Sequence, residues 1–156
     1  AGHSLGRPHI ARKLKERGIV HSIFQAFYRY LGDDRPAFVP KWSPEPEEVV
    51  DMIHDAGGMA VLAHPGSTGG NVDAILPQLI DAGLDGIEAL YPQHDPQVTK
   101  KYRDIATQNS LVITGGSDYH GENSDKNLLG VFKIKYPFLE ALKTRHREFL
   151  KSKTTL

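Results

Sequence analysis

Between residues 43 and 115 the sequence passes three times from a helical segment through a polar or glycine-containing stop into a short, unbroken apolar run. Ser43 as N-cap and Pro44 at the first helical position open the first helix, with Glu45, Glu47 and Glu48 where the helix dipole favours negative charge. That helix is predicted to reach about Ala56, stop at Gly57-Gly58 and lead into Met59-Ala60-Val61-Leu62-Ala63. A helix from Pro77 to Ala82, ended by Gly83, precedes a strand from Gly86 to Tyr91, and a helix from Pro96 to Asn109 precedes a strand from Leu111 to Thr114. Continuous apolar runs of this length suit strands covered on both faces, and the intervening helices suit crossovers. The pattern therefore predicts an α/β domain with a parallel sheet, either open or part of a barrel. A weaker strand, Val131 to Ile134, and a last helix from Pro137 to Lys151 follow.

The first forty residues read differently. Ile10, Leu14 and Ile19, then Phe24, Phe27, Tyr28 and Leu31 behind a Ser22 cap, predict two helices closed by Gly18 and by Gly32-Asp33-Asp34. The aromatic stripe is expected to pack one helix against its neighbour rather than to stack nucleobases. The proline-rich stretch from Pro36 to Pro46 reads as a linker, which divides the chain into a helical region, residues 1–42, and a sheet region, residues 43–156.

Composition excludes several functions. At 156 residues with 39% hydrophobic and 24% charged, the chain can bury a core. Nineteen basic and nineteen acidic side chains leave no overall attraction for nucleic acid or anionic membrane. A nucleic-acid binder using Arg12, Lys13, Lys15 and Arg17, interrupted by Leu14 and Glu16, is correspondingly the weakest reading. The absence of cysteine removes thiolate metal sites, iron–sulfur clusters and a cysteine nucleophile, and suits a reducing cytoplasm. No membrane-length apolar stretch and no signal-type start are present, so a cytoplasmic protein with no membrane partner is expected.

In a parallel α/β sheet, reactive groups gather at the carboxyl ends of the strands. His64 ends the first strand within Ala63-His64-Pro65-Gly66, as a metal ligand or a hydrogen-bonded structural histidine. Asp118 and His120 follow the third strand; with extended backbone through Tyr119 they face one side and chelate a divalent ion of intermediate hardness such as Mn, Fe or Zn. The alternative there is an Asx-turn with an exposed histidine. Glu88 lies within an apolar run, as a support for a ligand histidine or a solvated edge-strand residue. His94 is expected to be exposed. The loop from Gly66 to Gly70 is read as flexible before it is read as an anion nest. Arg7 and His9 open the first helix, where they either meet a phosphate or cap the surface. Lys143, Arg145, Arg147, Lys151 and Lys153 give the last helix a basic surplus that a solvated face explains.

Taken together, Ala63-His64-Pro65-Gly66, Gly83-Leu84-Asp85-Gly86-Ile87-Glu88 and Gly115-Gly116-Ser117-Asp118-Tyr119-His120-Gly121 resemble, in order and spacing, the later motifs of the polymerase and histidinol phosphatase (PHP) family. Gly6-Arg7-Pro8-His9-Ile10-Ala11 and Tyr30-Leu31-Gly32 are similar to the helical insert of its nucleotide-phosphoesterase branch, the nucleoside 3′,5′-bisphosphate phosphatases and 5′-end RNA nucleases. The resemblance implies a distorted (β/α)₇ barrel holding two or three divalent ions, ligand roles for His64, Asp118 and His120, support from Glu88, and a grip on substrate phosphate by Arg7 and His9 of the insert. It implies hydrolysis of phosphate esters of nucleotides or nucleic-acid ends. The family's opening His-x-His strand, Asp-His pair and further ligands do not occur upstream of Arg7. The chain thus looks like the carboxyl-terminal part of a longer enzyme, with an amino-terminal part of the same protein as its expected partner and little activity alone. The competing reading is a non-catalytic scaffold or partner-binding module.

Overall fold

The computed structural model describes residues 5–39, 42–67, 71–119, 129–130 and 132–154. The backbone divides into two compact units, one up to Ser43 and one from Pro44 onward.

In the first unit, α1 (Arg7–Glu16) turns at Gly18 into α2 (Ile23–Ala26), which continues as a single π-helical turn, Phe27–Leu31. Ser22 caps α2 as expected, its Oγ accepting from the Gln25 amide at 3.0 Å. Ala11, Val20, Ala26 and Leu31 form the core, flanked by Leu14, Ile23, Phe27 and Tyr30. The aromatic stripe does not pack as one face. Phe24 and Tyr28 are 79% and 62% exposed and stack on each other with ring centroids 6.2 Å apart. Positions 24 and 28 share one helix face and 27 and 31 another, and only the second faces Ala11 and Val20; the Gly32 amide closes the wide turn onto the Phe27 carbonyl at 2.8 Å.

The second unit opens with α3 (Pro46–Asp55). The helix starts two residues later than Ser43-Pro44 suggested, because Glu45 precedes a proline, stays extended and forms a reciprocal capping box with Glu48. Three parallel strands then lie in sequence order: β1 (Val61–Leu62), β2 (Gly86–Leu90) and β3 (Val112–Gly115), joined by α4 (Val72–Asp81) and α5 (Pro96–Gln108) and followed by α6 (Tyr136–Thr154). Ile87 pairs with Leu62 on one side and Ile113 on the other, and the register slips between Glu88 and Leu90 before Leu90 meets Gly115. Helices α5 and α6 pack on this sheet, around a core of Val50, Ala60, Leu76, Leu79, Leu84, Ile87, Ala89, Tyr102 and Ala106.

Three expectations are corrected here. Pro77 lies inside α4 rather than opening it, the helix beginning at Val72 in response to the packing of Val72, Leu76 and Leu79. The first strand shrinks to two residues because side chains take the amides that a longer ladder needs. Asp85 Oδ2 accepts from the Ala60 amide at 2.8 Å, and Glu88 Oε2 accepts from the His64 amide at 3.0 Å. Finally, Phe132–Lys135 is irregular, and Val131 lies outside the described residues. Ile134 reaches β3 through its side chain, against Gly115, instead of through backbone pairing.

The amino end of the sheet is closed by polar contacts. Buried Asp85 also meets His54 Nε2 at 2.8 Å and Arg145 Nε at 3.7 Å, while His146 Nε2 donates to the Gly57 carbonyl at 2.8 Å and Lys153 Nζ to the His54 carbonyl at 2.6 Å. Part of the basic surplus of α6 therefore anchors the helix rather than forming a purely solvated face.

Candidate metal and phosphoester site

The carboxyl ends of the three strands bring His64, Glu88 and Asp118 to one edge of the sheet. β2 is paired on both sides, so Glu88 is not an edge-strand residue. Its half-buried carboxylate is stabilised by the His64 amide, and it supports that histidine through the backbone rather than through the imidazole. His64 (φ 28°) and Asp118 (φ 54°) are two of the four non-glycine residues with positive φ among the described residues. The others, Asp34 and Ser110, stand in turns. Left-handed backbone at a non-glycine residue costs roughly 1–3 kcal/mol and persists where surroundings enforce it, often at functional sites. For Asp118 it also removes the extended path on which a shared side for Asp118 and His120 depended; His120 itself lies outside the described residues.

Tyr91, directly after β2, links these groups. It is 5% exposed, its ring centroid is 5.1 Å from that of His64, and its hydroxyl donates to Asp118 Oδ2 at 3.1 Å. Gln93 Nε2 donates to the same hydroxyl oxygen at 3.1 Å. Burial, then the hydrogen bond to the Asp118 carboxylate and the charges of Asp118 and Glu88, push the phenol above its ordinary pKa, so it remains a donor at neutral pH.

His94 is buried, contrary to the expected exposed loop position. Its Nε2 accepts from the Gly66 amide and its Nδ1 donates to the Ala89 carbonyl, both at 3.1 Å, an arrangement that requires the neutral imidazole with its proton on Nδ1. It thereby ties the loop after His64 to β2. A Cβ at position 66 would lie 2.4 Å from Val98 Cγ1 and 2.9 Å from His94 Cδ2, so this approach requires glycine. Thr68–Gly70, on which an anion nest would depend, lies outside the described residues.

Arg7 and His9 belong to the other unit and are engaged within it. Arg7 donates to the Leu31 carbonyl at 3.1 Å and to Asp33 Oδ1 at 2.9 Å, with its guanidinium over Phe27 and Phe38. His9 Nδ1 accepts from the Gly6 amide at 3.0 Å and caps α1. Sequence reasoning missed Tyr91 and Gln93, which read as strand and loop; their position after a strand that carries Glu88 was the available signal.

An imidazole and a carboxylate at adjacent strand ends are suitable donors for a divalent ion of intermediate hardness. Among the described residues, however, no group of three or more histidine and carboxylate side chains is placed to enclose one. The donor chemistry fits; the set is partial.

No family model matches the sequence. The chain is 34% identical over 119 residues to a 3′,5′-nucleoside bisphosphate phosphatase of Chromobacterium violaceum, covering 74% of this chain and 42% of that protein. It is 32% identical over 124 residues to the 5′-3′ exoribonuclease Rnm of Escherichia coli, covering 76% and 42%. A phosphoribosyl 1,2-cyclic phosphate 1,2-diphosphodiesterase of Eggerthella lenta is 42% identical over 77 residues, 48% of this chain and 28% of that protein. Among solved structures, a Bifidobacterium adolescentis protein described as a metal-dependent phosphoesterase superposes with a TM-score of 0.75 at 31% identity, over 90% of this chain and 50% of its own. The chain thus spans less than half the length of these sequence relatives. It is a partial-length homologue of phosphoesterases that include a nucleotide phosphatase and exoribonucleases, consistent with the carboxyl-terminal part of the PHP family.

Proposed function

We propose that this chain supplies one side of the active site of a metal-dependent phosphoesterase that hydrolyses phosphate esters of nucleotides or nucleic-acid ends. The observation that carries this reading is the placement of His64 and Asp118, both in left-handed backbone, at the carboxyl ends of β1 and β3, either side of a central strand that bonds to both. The names of the relatives support the substrate class. In this reading residues 43–156 form the carboxyl-terminal part of a distorted (β/α)₇ barrel and residues 1–42 a helical insert over the substrate.

When bound, divalent ions supply Lewis acidity and a water of lowered pKa for attack on phosphorus. His64, Asp118 and, from its motif, His120 would hold them, with Mn, Fe or Zn matching the donors. Glu88 holds the His64 backbone in place, and His94 keeps the neighbouring loop against β2. Arg7 and His9 would grip substrate phosphate from the insert. An amino-terminal part of the same protein would contribute the remaining ligands, so the chain alone binds metal weakly and turns over little. The partial donor set also favours a second reading, a non-catalytic scaffold whose histidines are vestigial.

Asp118→Ala tests the first reading in the longer protein. Mn-dependent release of phosphate from a nucleoside 3′,5′-bisphosphate and degradation of 5′-phosphorylated RNA are expected to fall at least 100-fold, with one metal lost. Retention of both metal and activity would remove Asp118 from the site. A histidine NMR spectrum unmoved by Mn or Zn would support the scaffold.

A further inference from the structure

The exit of β2 reaches the loops that follow both neighbouring strands. From Tyr91 the ring lies against His64 at 5.1 Å and the hydroxyl reaches Asp118 at 3.1 Å, and three residues later His94 accepts from Gly66. The Gly116 amide donates to the Leu90 carbonyl at 3.2 Å, two residues before Asp118. Beyond it the Asp118 carboxylate stands on left-handed backbone and receives a hydrogen bond from Tyr91, the residue that follows the central strand.

We propose that Tyr91 is a positioning residue of the phosphoesterase site, its hydroxyl aiming the Asp118 carboxylate while its ring braces His64. Directionality supports this. The Gln93 amide nitrogen can only donate, so it occupies a lone pair of the phenol oxygen and leaves the phenol's single proton for Asp118. Burial makes the bond costly to lose, since a phenol this enclosed has little access to replacement water. Groups that orient ligating carboxylates and imidazoles commonly alter metal affinity 10- to 100-fold when removed. The inference rests on the reading of His64 and Asp118 as metal ligands.

Tyr91→Phe removes the hydroxyl and keeps the ring. Mn alone serves as the probe, titrated into the full chain while paramagnetic broadening at the His64 and Asp118 amides is followed in the wild type, Tyr91→Phe and Asp118→Asn. Tyr91→Phe is expected to need roughly 10- to 100-fold more Mn for the same broadening. In the metal-free protein the side-chain carboxylate carbon of Asp118 is expected to shift, a signature that a purely packing role of the ring would not produce. Wild-type broadening and an unmoved Asp118 carbon in Tyr91→Phe overturn the proposal, and if Asp118→Asn has meanwhile lost broadening, the metal site itself stands. An Asp118→Asn chain that broadens like the wild type overturns both.

Discussion

Gly115→Ala probes the seam on which the site geometry depends. Gly115 ends β3 opposite Leu90, and a Cβ there would lie 2.4 Å from the Leu90 carbonyl oxygen, 2.5 Å from Leu90 Cβ and 2.7 Å from Ile134 Cδ1. The first two obstacles belong to the backbone and the root of a side chain, so no rotamer change relieves them, and β2 and β3 must separate by roughly 1 Å at this point. Overpacking of this kind costs about 1–3 kcal/mol. At about 4 °C per kcal/mol for a unit of this size, the thermal midpoint is expected to fall by roughly 4–12 °C. Gly116→Ala is the comparison: its Cβ would stand 3.3 Å from Glu88 Oε1, a side-chain oxygen that needs to give by only a few tenths of an ångström, and neither glycine has positive φ, so the pair isolates steric cost. Its midpoint should shift by less than half as much. Circular dichroism melts of the two variants provide the measurement, and a Gly115→Ala midpoint within a degree of the wild type would refute the strand-separation reasoning.

Two further outcomes follow from the core and from Tyr102. Ile87→Ala empties a fully buried position on the central strand and should cost about 2–5 kcal/mol, read as a lower urea midpoint with an unchanged slope. Burial, then the hydrogen bond to Asp73, pushes the Tyr102 phenol up to about 12. Between its ordinary value near 10 and about 12 the folded chain keeps a proton that the unfolded chain has lost, so stability is fully present below that window and falls across it by up to about 3 kcal/mol. Urea titrations at several alkaline pH values should show this slope in the wild type and lose it in Tyr102→Phe; equal slopes would assign the alkaline loss to other groups.

The helix and strand pattern of residues 43–115 was legible because its signals are local. Glycines and polar turns stop helices, apolar runs mark covered strands, and Asp95-Pro96 opens α5 with the Asp95 carboxylate accepting from the Val98 amide. The same locality places His64 and Asp118 at strand ends. It failed where competing local signals were close in strength. Ser43-Pro44 and Glu45-Pro46 both resemble helix starts, and the reciprocal Glu45–Glu48 bonds decide between them. It failed again at Phe24 and Tyr28, whose helical spacing with Phe27 and Leu31 carries no information about which face meets a partner.

The sequence by itself determined a parallel α/β sheet and the order in which its chemistry-bearing residues leave it, since periodicity, caps and stops act over a few residues. Tertiary structure alone decided the length of β1, the burial of His94 and the link from Tyr91 to Asp118. Those outcomes depend on partners distant in sequence: Asp85 and Glu88 reach amides 25 and 24 residues away, and Tyr91 reaches a carboxylate 27 residues on. No window of local pattern holds both ends of such a bond, and only the folded chain brings them within hydrogen-bonding distance.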